Sequence, residues 1–177
     1  MTDGEYFDIY DEDGMRIGAA ARHECHGNPD LIHRTSHVVV VNKSGEILLQ
    51  KRTKSKDIQP GKWDTAVGGH LNMGETYEIA ARRELGEELG VTDSSIKLNY
   101  LFDDKIRNSV ESEDVRVFGI IYEGDFKVQE SEVDEVKYWN LSELAECDQS
   151  KLFTPNLIGE LQKLAQGDWV NKLLKLQ

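Results

Sequence analysis

Apolar and polar residues follow two periodicities along the chain, and together these predict both strands and helices. Residues 5–20 have the pattern of two short strands around an Asp-Glu-Asp-Gly turn. Residues 34–52 contain two apolar runs separated by Asn-Lys-Ser-Gly, which predicts a hairpin. Further strands are predicted near residues 96–103, 115–122 and 134–140.

Three segments are predicted to be helical. In residues 75–89 the apolar positions repeat at helical spacing, and Gly90 suits the position just past the C-terminus. A second helix is predicted to begin at the Thr154 cap with Pro155 in its first turn, and a last helix follows over 168–177.

The order of the predicted strands, helices and loops along the chain indicates the fold class. Residues 55–70 contain two Pro or Gly pairs, which predicts a loop. Strands and helices are mixed without regular alternation, which favours an α+β class. We expect one domain over 1–177, with N-terminal strands or an extension in 1–30 and C-terminal helices in 154–177.

Composition narrows the functional classes. The net charge is −12, with 33 acidic against 21 basic residues, so binding to a nucleic-acid polymer is not expected. No apolar run approaches the ~18 residues of a membrane span, and the acidic N-terminus lacks a signal pattern. With two distant cysteines as well, we expect a cytoplasmic protein that does not associate with membranes. The oligomeric state stays open, with a homodimer as one alternative.

The predicted helix at 75–89 concentrates negative charge on one face, through Glu84, Glu87 and Glu88. Like charges at this spacing cost a helix roughly 0.2–0.5 kcal/mol per pair. Carboxylate oxygens suit Mg²⁺ or Mn²⁺, which would offset that charge. Arg83 is close enough along the helix to pair with Glu87 and orient it. The Gly68-Gly69 pair is expected to form a tight turn before the helix.

Residues 69–91 as a whole resemble the Nudix box. The matching positions are Gly69, Glu75, Arg83, Glu84, Leu85, Glu87, Glu88, Gly90 and Val91. The resemblance implies an α/β/α sandwich with a mixed sheet, and Mg²⁺- or Mn²⁺-dependent hydrolysis of a diphosphate linked to another group. It also implies that Glu84, Glu87 and Glu88 bind the metal, with the Gly69 carbonyl as an addition. Glu87 or Glu88 is then the general base, and Arg83 completes the catalytic set.

Outside the box, the stretches "FDIYDEDG", "IHR", "LLQKR", "PGKWD" and "GGH" resemble the branch related to isopentenyl-diphosphate isomerase. That isomerase uses a cysteine two residues before a histidine, and the equivalent residues here are Gly68 and His70. Isomerisation needs a protonation and a deprotonation, and glycine supports neither. The sequence therefore favours a hydrolase over an isomerase. A non-catalytic nucleotide-binding module on the same scaffold is the third alternative.

Other positions of the isomerase branch are present, and they imply a second metal or acid–base site. These are His33, His70, Glu111 and Glu113. The alternative interpretation is a loop histidine and a solvated acidic turn. The stretch "HECH" at 23–26 has metal-ligand residue types but no second pair at zinc spacing, so we interpret it as surface loop.

Two further sets of charged residues are candidates for substrate binding or catalysis. The basic segment 51–62 contains five Lys or Arg residues and one acid, Asp57, and we select Arg52 and Lys62 as phosphate-binding candidates. Solvated surface lysines are the alternative. Glu135 is a candidate base, because Nudix enzymes often use a carboxylate from a late loop. The expected substrate is a small diphosphate-containing metabolite whose identity the sequence does not specify.

Overall fold

The computed structural model describes residues 4–56 and 59–176, in which nine strands form one branched sheet between helices. Asp57, counted above with the basic segment, lies outside these ranges. The strands are β1 Tyr6–Tyr10, β2 Arg16–Ala21, β3 Ile32–Val41, β4 Ile47–Arg52, β5 Trp63–Thr65, β6 Val67–His70, β7 Asn99–Arg107, β8 Ser112–Ile121 and β9 Val133–Trp139. The helices are α1 Arg22–Cys25, α2 Tyr77–Leu89, α3 Leu141–Glu146, α4 Gln149–Leu152, α5 Pro155–Gln166 and α6 Trp169–Leu174. Within the described ranges, no helix is both long and apolar enough to cross a bilayer.

The central strand β3 supplies side chains to both faces of the sheet. Val38 and Val40 pack with α2, whereas Val39 and Val41 pack with the C-terminal helices α5 and α6. Adjacent valines belong to different cores because successive side chains of a strand point to opposite faces. β3 pairs in parallel with β8 and antiparallel with β6. The mixed sheet between two helical layers confirms the predicted α+β class.

β3 and β4 separate directly after the turn that joins them. The turn at 42–45 is present as predicted, but the register pairs just Val41 with Ile47 in the described strands. Beyond that pair, β4 pairs with β5 and β9, while β3 pairs with β6 and β8. The predicted long hairpin is therefore wrong, because each strand has other partners on both edges.

The predicted loop over 55–70 is wrong for its second half. β5 and β6 lie in that segment, separated by the single residue Ala66. β5 pairs with β4 and β6 pairs with β3, so these consecutive short strands connect the two separated parts of the sheet. Both strands are short, and β6 contains two glycines, so their own sequence does not predict strands. They form because distant strands pair with them.

The helix predicted at 75–89 is present as α2, which begins two residues later, at Tyr77, and ends at Leu89 before the predicted Gly90. The Thr76 side chain accepts a hydrogen bond from the backbone N–H of Ile79, and Gly90 adopts a left-handed conformation with φ 70°. The predicted C-terminal helices are present as α5 and α6, whereas the short helices α1, α3 and α4 were not predicted. A helix of one or two turns depends on its packing more than on its own sequence.

Replacement of Leu89 by alanine tests the contribution of α2 packing. Leu89 is fully buried in the core on that side of the sheet, so Leu89→Ala should reduce the free energy of unfolding by about 2–5 kcal/mol in urea titrations. Ile79→Ala on the same helix is the matched control, because Ile79 is 55% exposed and its loss should change stability by about 0.5 kcal/mol or less. Equal effects of the two substitutions would contradict this packing of α2.

Candidate active site

The separation of β3 from β4 is accompanied by an open cavity of about 920 Å³. α2, β5, β6, the start of α5 and the loop between β7 and β8 all contribute to its lining. Its volume is in the range of small-molecule binding sites. The polar residues of the lining include His26, His37, Arg52, Asp64, His70, Arg83, Glu84, Glu87, Glu88, Glu111, Glu113 and Thr154.

Arg83 connects the carboxylates of this cavity. Its guanidinium donates two hydrogen bonds to Glu75, at 3.0 and 2.9 Å, and another to the His70 carbonyl at 2.9 Å. Its Nη1 lies 2.5 Å from Glu84 Oε1 and 3.3 Å from Glu87 Oε2. The hydrogen bond with Glu75 raises the pKa of Arg83, although partial burial opposes the shift. Arg83 therefore stays charged and holds α2 against the end of β6.

The three clustered glutamates of α2, Glu84, Glu87 and Glu88, differ in their exposure to water. The Glu87 side chain is 54% exposed, whereas that of Glu84 is 13% exposed. Glu88 accepts hydrogen bonds from Gln50 Nε2, at 3.0 Å, and from the backbone N–H of Gly68. Burial, with the charge of Glu84, raises the pKa of Glu88 to about 8 despite these hydrogen bonds. A cation beside these carboxylates would favour their charged forms.

Gly69 allows Glu84 to lie across β6. A Cβ at residue 69 would overlap the Glu84 carboxylate. The tight turn expected at Gly68-Gly69 is wrong, because both residues belong to β6 and pair with His37 and Ser36 of β3. The glycine is therefore required here for close approach of a side chain and not for a turn.

Three histidines and a glutamate lie close together, and His26, His70 and Glu113 of this cluster line the cavity. His26, His33 and His70 each offer a ring nitrogen within 4.8 Å of the others. Glu113 Oε1 lies 3.0 Å from His70 Nε2 and 3.5 Å from His33 Nε2. In the described part of the chain, the buried Nε2 atoms of His26 and His33 have no hydrogen-bond partner. Buried unpaired ring nitrogens that converge in this way fit a metal ion.

One imidazole of this cluster, that of His26, is held in the neutral form that metal coordination requires. Burial, together with the charge of His70, lowers the pKa of His26 to about 4, so this imidazole is neutral and able to coordinate. Burial opposes ionisation of Glu113, but the neighbouring imidazoles of His33 and His70 hold its pKa well below the usual range. Burial alone would lower the pKa of His33, but the proximity of Glu113 raises this pKa, with a smaller contribution from the charge of Glu111, which lines the same cavity.

His26 shows where sequence interpretation was incomplete. The "HECH" stretch was interpreted as surface loop, yet Cys25 is fully buried and packs with Phe7, Ile9 and Ala20. The segment after α1 is attached to the loop between β7 and β8, because the Gly27 N–H donates to the Val110 carbonyl at 2.8 Å. This attachment orients His26 toward His33 and His70, which are distant in sequence.

Comparison with known proteins identifies the family. Residues 31–158 match the model of the NUDIX domain. The chain belongs to the Nudix family. An uncharacterized Nudix hydrolase of Yersinia pestis is 36% identical over 162 residues, covering 89% of this chain and 84% of the relative. The Nudix hydrolase YfcD of Escherichia coli K12 is 34% identical over 168 residues, covering 91% and 87%.

A solved structure has the same fold. The crystal structure of DR0079 from Deinococcus radiodurans is similar with a TM-score of 0.77 and 21% identity, covering 90% of this chain and 98% of that one. Nudix hydrolases cleave phosphoanhydride bonds and generally use divalent metal ions. The chain is therefore a Nudix pyrophosphohydrolase, with its substrate unspecified.

Not every predicted site residue of this Nudix hydrolase lies at the cavity. Arg52 lines it, with Nη1 3.4 Å from Asp64 Oδ2. Lys62 and Glu135 are not among the described residues that line it. Lys62 Nζ donates to the Ser150 carbonyl at 3.2 Å, and Glu135 is exposed on β9 with its carboxylate 3.7 Å from Lys51 Nζ. Their predicted roles find no support in this geometry.

Sequence interpretation also missed two polar residues of the cavity, His37 and Asp64. His33, Thr35 and His37 occupy every second position of β3, and this alternation was the available signal. Asp64 accepts a hydrogen bond from Thr154 Oγ1 at 2.9 Å, which links β5 to the start of α5. Nothing local in the sequence indicates that contact, because 90 residues separate its members.

Gly69→Ala tests whether the position of Glu84 matters for metal binding. The added Cβ should displace the Glu84 carboxylate and weaken Mn²⁺ binding by about 10–100-fold, the usual effect of disturbing the support of a metal ligand. Isothermal titration with Mn²⁺ provides the measurement.

The matched control for this prediction is Gly86→Ala. A Cβ at residue 86 would make an ordinary 3.5 Å contact with Thr92, so Mn²⁺ affinity should be unchanged. Wild-type affinity in Gly69→Ala would show that Glu84 is not required for Mn²⁺ binding.

Proposed function

We propose that this Nudix hydrolase cleaves a phosphoanhydride bond in a small diphosphate-containing metabolite, with Glu84, Glu87 and Glu88 as ligands of Mg²⁺ or Mn²⁺. The observation that carries the proposal is the convergence of the three carboxylates on one wall of the cavity. Arg83 contacts two of them, Glu84 and Glu87, and the absence of a side chain at Gly69 leaves space for the Glu84 carboxylate across β6. The Gly69 carbonyl is a further candidate ligand.

The electrostatics of the cavity favour a divalent cation. Its carboxylates would repel a diphosphate, and the chain as a whole carries a net charge of −12. A divalent ion held by Glu84, Glu87 and Glu88 would supply the missing positive charge and would act as a Lewis acid toward the phosphate and the attacking water. The oxygen-rich ligand set fits Mg²⁺ or Mn²⁺.

The chain's own groups have distinct tasks in this proposal. Gln50 and the Gly68 N–H hold the Glu88 carboxylate in a fixed orientation. Glu87, at the exposed end of the set, is accessible to the attacking water and is our first candidate for the base that accepts its proton, with Glu88 as the second. Arg83 positions Glu84 and Glu87.

A second divalent ion is proposed at the histidine cluster. Its ligands would be His26, His33, His70, Glu111 and Glu113, of which the first three and Glu113 converge closely. Imidazole nitrogens favour a transition ion such as Mn²⁺ over Mg²⁺. This ligand set supports the assignment of the chain to the branch related to isopentenyl-diphosphate isomerase.

Isomerase activity itself is disfavoured by the same geometry. Gly68 lines the cavity without a functional group, and neither of the two cysteines is among the described residues of the lining. Cys25 is fully buried in a separate apolar cluster with Phe7. The cavity therefore lacks the thiol that isomerisation would use. A single domain, a homodimer and a cytoplasmic location stay predictions, as does the small-molecule partner.

Glu87→Gln tests the assignment of the catalytic carboxylates. We expect metal-dependent phosphate release to fall by about 100-fold or more, because a general base is lost while the exposed side chain contributes little to folding. The assay should cover nucleoside triphosphates, nucleotide sugars, ADP-ribose, dinucleotide cofactors and prenyl diphosphates. Glu78→Gln, on an exposed position of the same helix, is the control and should retain wild-type rates.

Three outcomes of this screen would count against the proposal. Near-normal rates of Glu87→Gln at saturating Mg²⁺ would remove Glu87 from the mechanism. Proton exchange on isopentenyl diphosphate without phosphate release would support the isomerase alternative. Tight binding of one compound with no turnover in the panel would support a non-catalytic binding module.

His26→Asn tests the proposed second metal ion. We expect this substitution to remove one equivalent of tightly bound Mn²⁺, measured by electron paramagnetic resonance, because it deletes one ligand of the cluster. His23→Asn is the matched control, since His23 is exposed three residues earlier in the same stretch. An unchanged stoichiometry in both variants would refute the second site.

A further inference from the structure

His37 lies at the cavity outside both candidate metal sites. It follows Thr35 on the same face of β3, and its side chain is 14% exposed. Its Nδ1 lies 2.7 Å from Oε2 of Glu160, a buried glutamate of α5 that is 5% exposed. Among the described residues, the hydrogen bond to Glu160 is the one that the His37 ring makes, and it does not involve the other ring nitrogen, Nε2. The ring is therefore held from one side and free to donate or accept on the other.

Gly68 leaves the free edge of this ring uncovered. A Cβ at residue 68 would lie 3.2 Å from Cδ2 and 3.3 Å from Nε2 of His37, which is tighter than an ordinary contact. The backbone N–H of the same glycine donates to the Glu88 carboxylate. One residue thus contacts both the imidazole edge and a candidate metal ligand, so the two groups belong to the same part of the cavity.

The surroundings of His37 favour a positive charge. Burial alone would lower the pKa of His37, but the charge and hydrogen bond of Glu160, with the charges of Glu113 on β8 and Asp64 on β5, raise this pKa to about 9. In the charged imidazolium both ring nitrogens are donors. Nε2–H then presents a charge-assisted hydrogen bond to the cavity, which an anionic oxygen is suited to accept.

Other cations of the lining are already engaged. Arg83 binds Glu75 and Glu84, and Arg52 faces Asp64. Lys56 pairs with Glu132. The imidazolium of His37 contacts its buried partner, Glu160, through Nδ1 alone. Its Nε2–H is therefore available to a ligand.

We propose that His37 Nε2 binds an anionic oxygen of the substrate's diphosphate, and that Glu160 is the positioning residue that holds its ring. This inference rests on the proposed function and extends the site to α5, which contributes Glu160 and, through Thr154, the support of Asp64. The ligand class is a diphosphate, whose remaining negative charge would be balanced by a cation held at Glu84 and Glu88.

The test uses methylenediphosphonate, a diphosphate mimic that is not hydrolysed, titrated in the presence of Mg²⁺. His37→Leu/Glu160→Leu removes both members of the pair, so that neither buried partner is left without the other. We expect its Kd for the probe to rise roughly tenfold or more, the order expected for a lost charged hydrogen bond. The Kd for Mg²⁺ alone should be unchanged, and His23→Leu is the exposed histidine control.

Two further variants address Glu160 and Gly68. Glu160→Gln keeps an acceptor for Nδ1–H but removes the charge, so the pKa of His37 should fall. Probe affinity, which requires protonated His37, should then be lost at a lower pH than in the wild type, a change that a merely structural role would not produce. Gly68→Ala should also weaken probe binding, because its Cβ crowds the Nε2 edge.

The outcomes separate this inference from the proposed function. A wild-type protein that does not bind the probe with Mg²⁺ would overturn both. Wild-type probe affinity in a folded His37→Leu/Glu160→Leu variant would overturn the role of His37 alone. If that variant does not fold, unchanged affinity in Gly68→Ala overturns it instead. A parallel loss of Mg²⁺ binding in the folded variants would overturn it too, because the residue would then act on the metal site.

Discussion

The separation of β3 from β4 is the constraint on which the rest of the structure depends. Beyond one shared pair, β3 pairs with β1, β6 and β8 and β4 pairs with β5 and β9, so the sheet divides just after their connecting turn. β5 and β6, with one residue between them, then join the two parts. The cavity at this division receives side chains from α2, from Thr35 and His37 in the middle of β3 and from the start of α5. A continuous hairpin would have paired these edges with each other and left no comparable opening.

Concentrated negative charge is the second determinant of the site. Glu84, Glu87 and Glu88 lie together at the cost of mutual repulsion, and Arg83 compensates only part of it. Burial adds a further cost, which raises the pKa of Glu88 to about 8. These costs are understandable if a divalent cation binds beside the carboxylates, because its charge offsets both repulsion and desolvation. The helix face that is unfavourable by itself is then suited to diphosphate chemistry.

Two histidines on the same face of β3 have different chemical surroundings. His33 and His37 are four residues apart on β3 and share a face, which separates them by about 13 Å along an extended chain. His33 meets His26, His70 and Glu113 in a cluster with metal-binding character. His37 instead meets Glu160 of α5, where the absence of a side chain at Gly68 exposes its ring to the cavity. The glycine that argues against isomerisation therefore also opens the site to a different polar group.

Local sequence determined those features whose physical cause is local. The α2 boundaries follow from the Thr76 cap and the left-handed Gly90, and the shared face of its glutamates follows from helical spacing. Tertiary structure decided what depends on distant contacts. β6 exists as a strand only through pairing with β3, and Gly69 is needed for the approach of Glu84 and not for a turn. His26 joins its cluster, and His37 its partner 123 residues away, because folding brings them together; no short-range periodicity encodes such contacts.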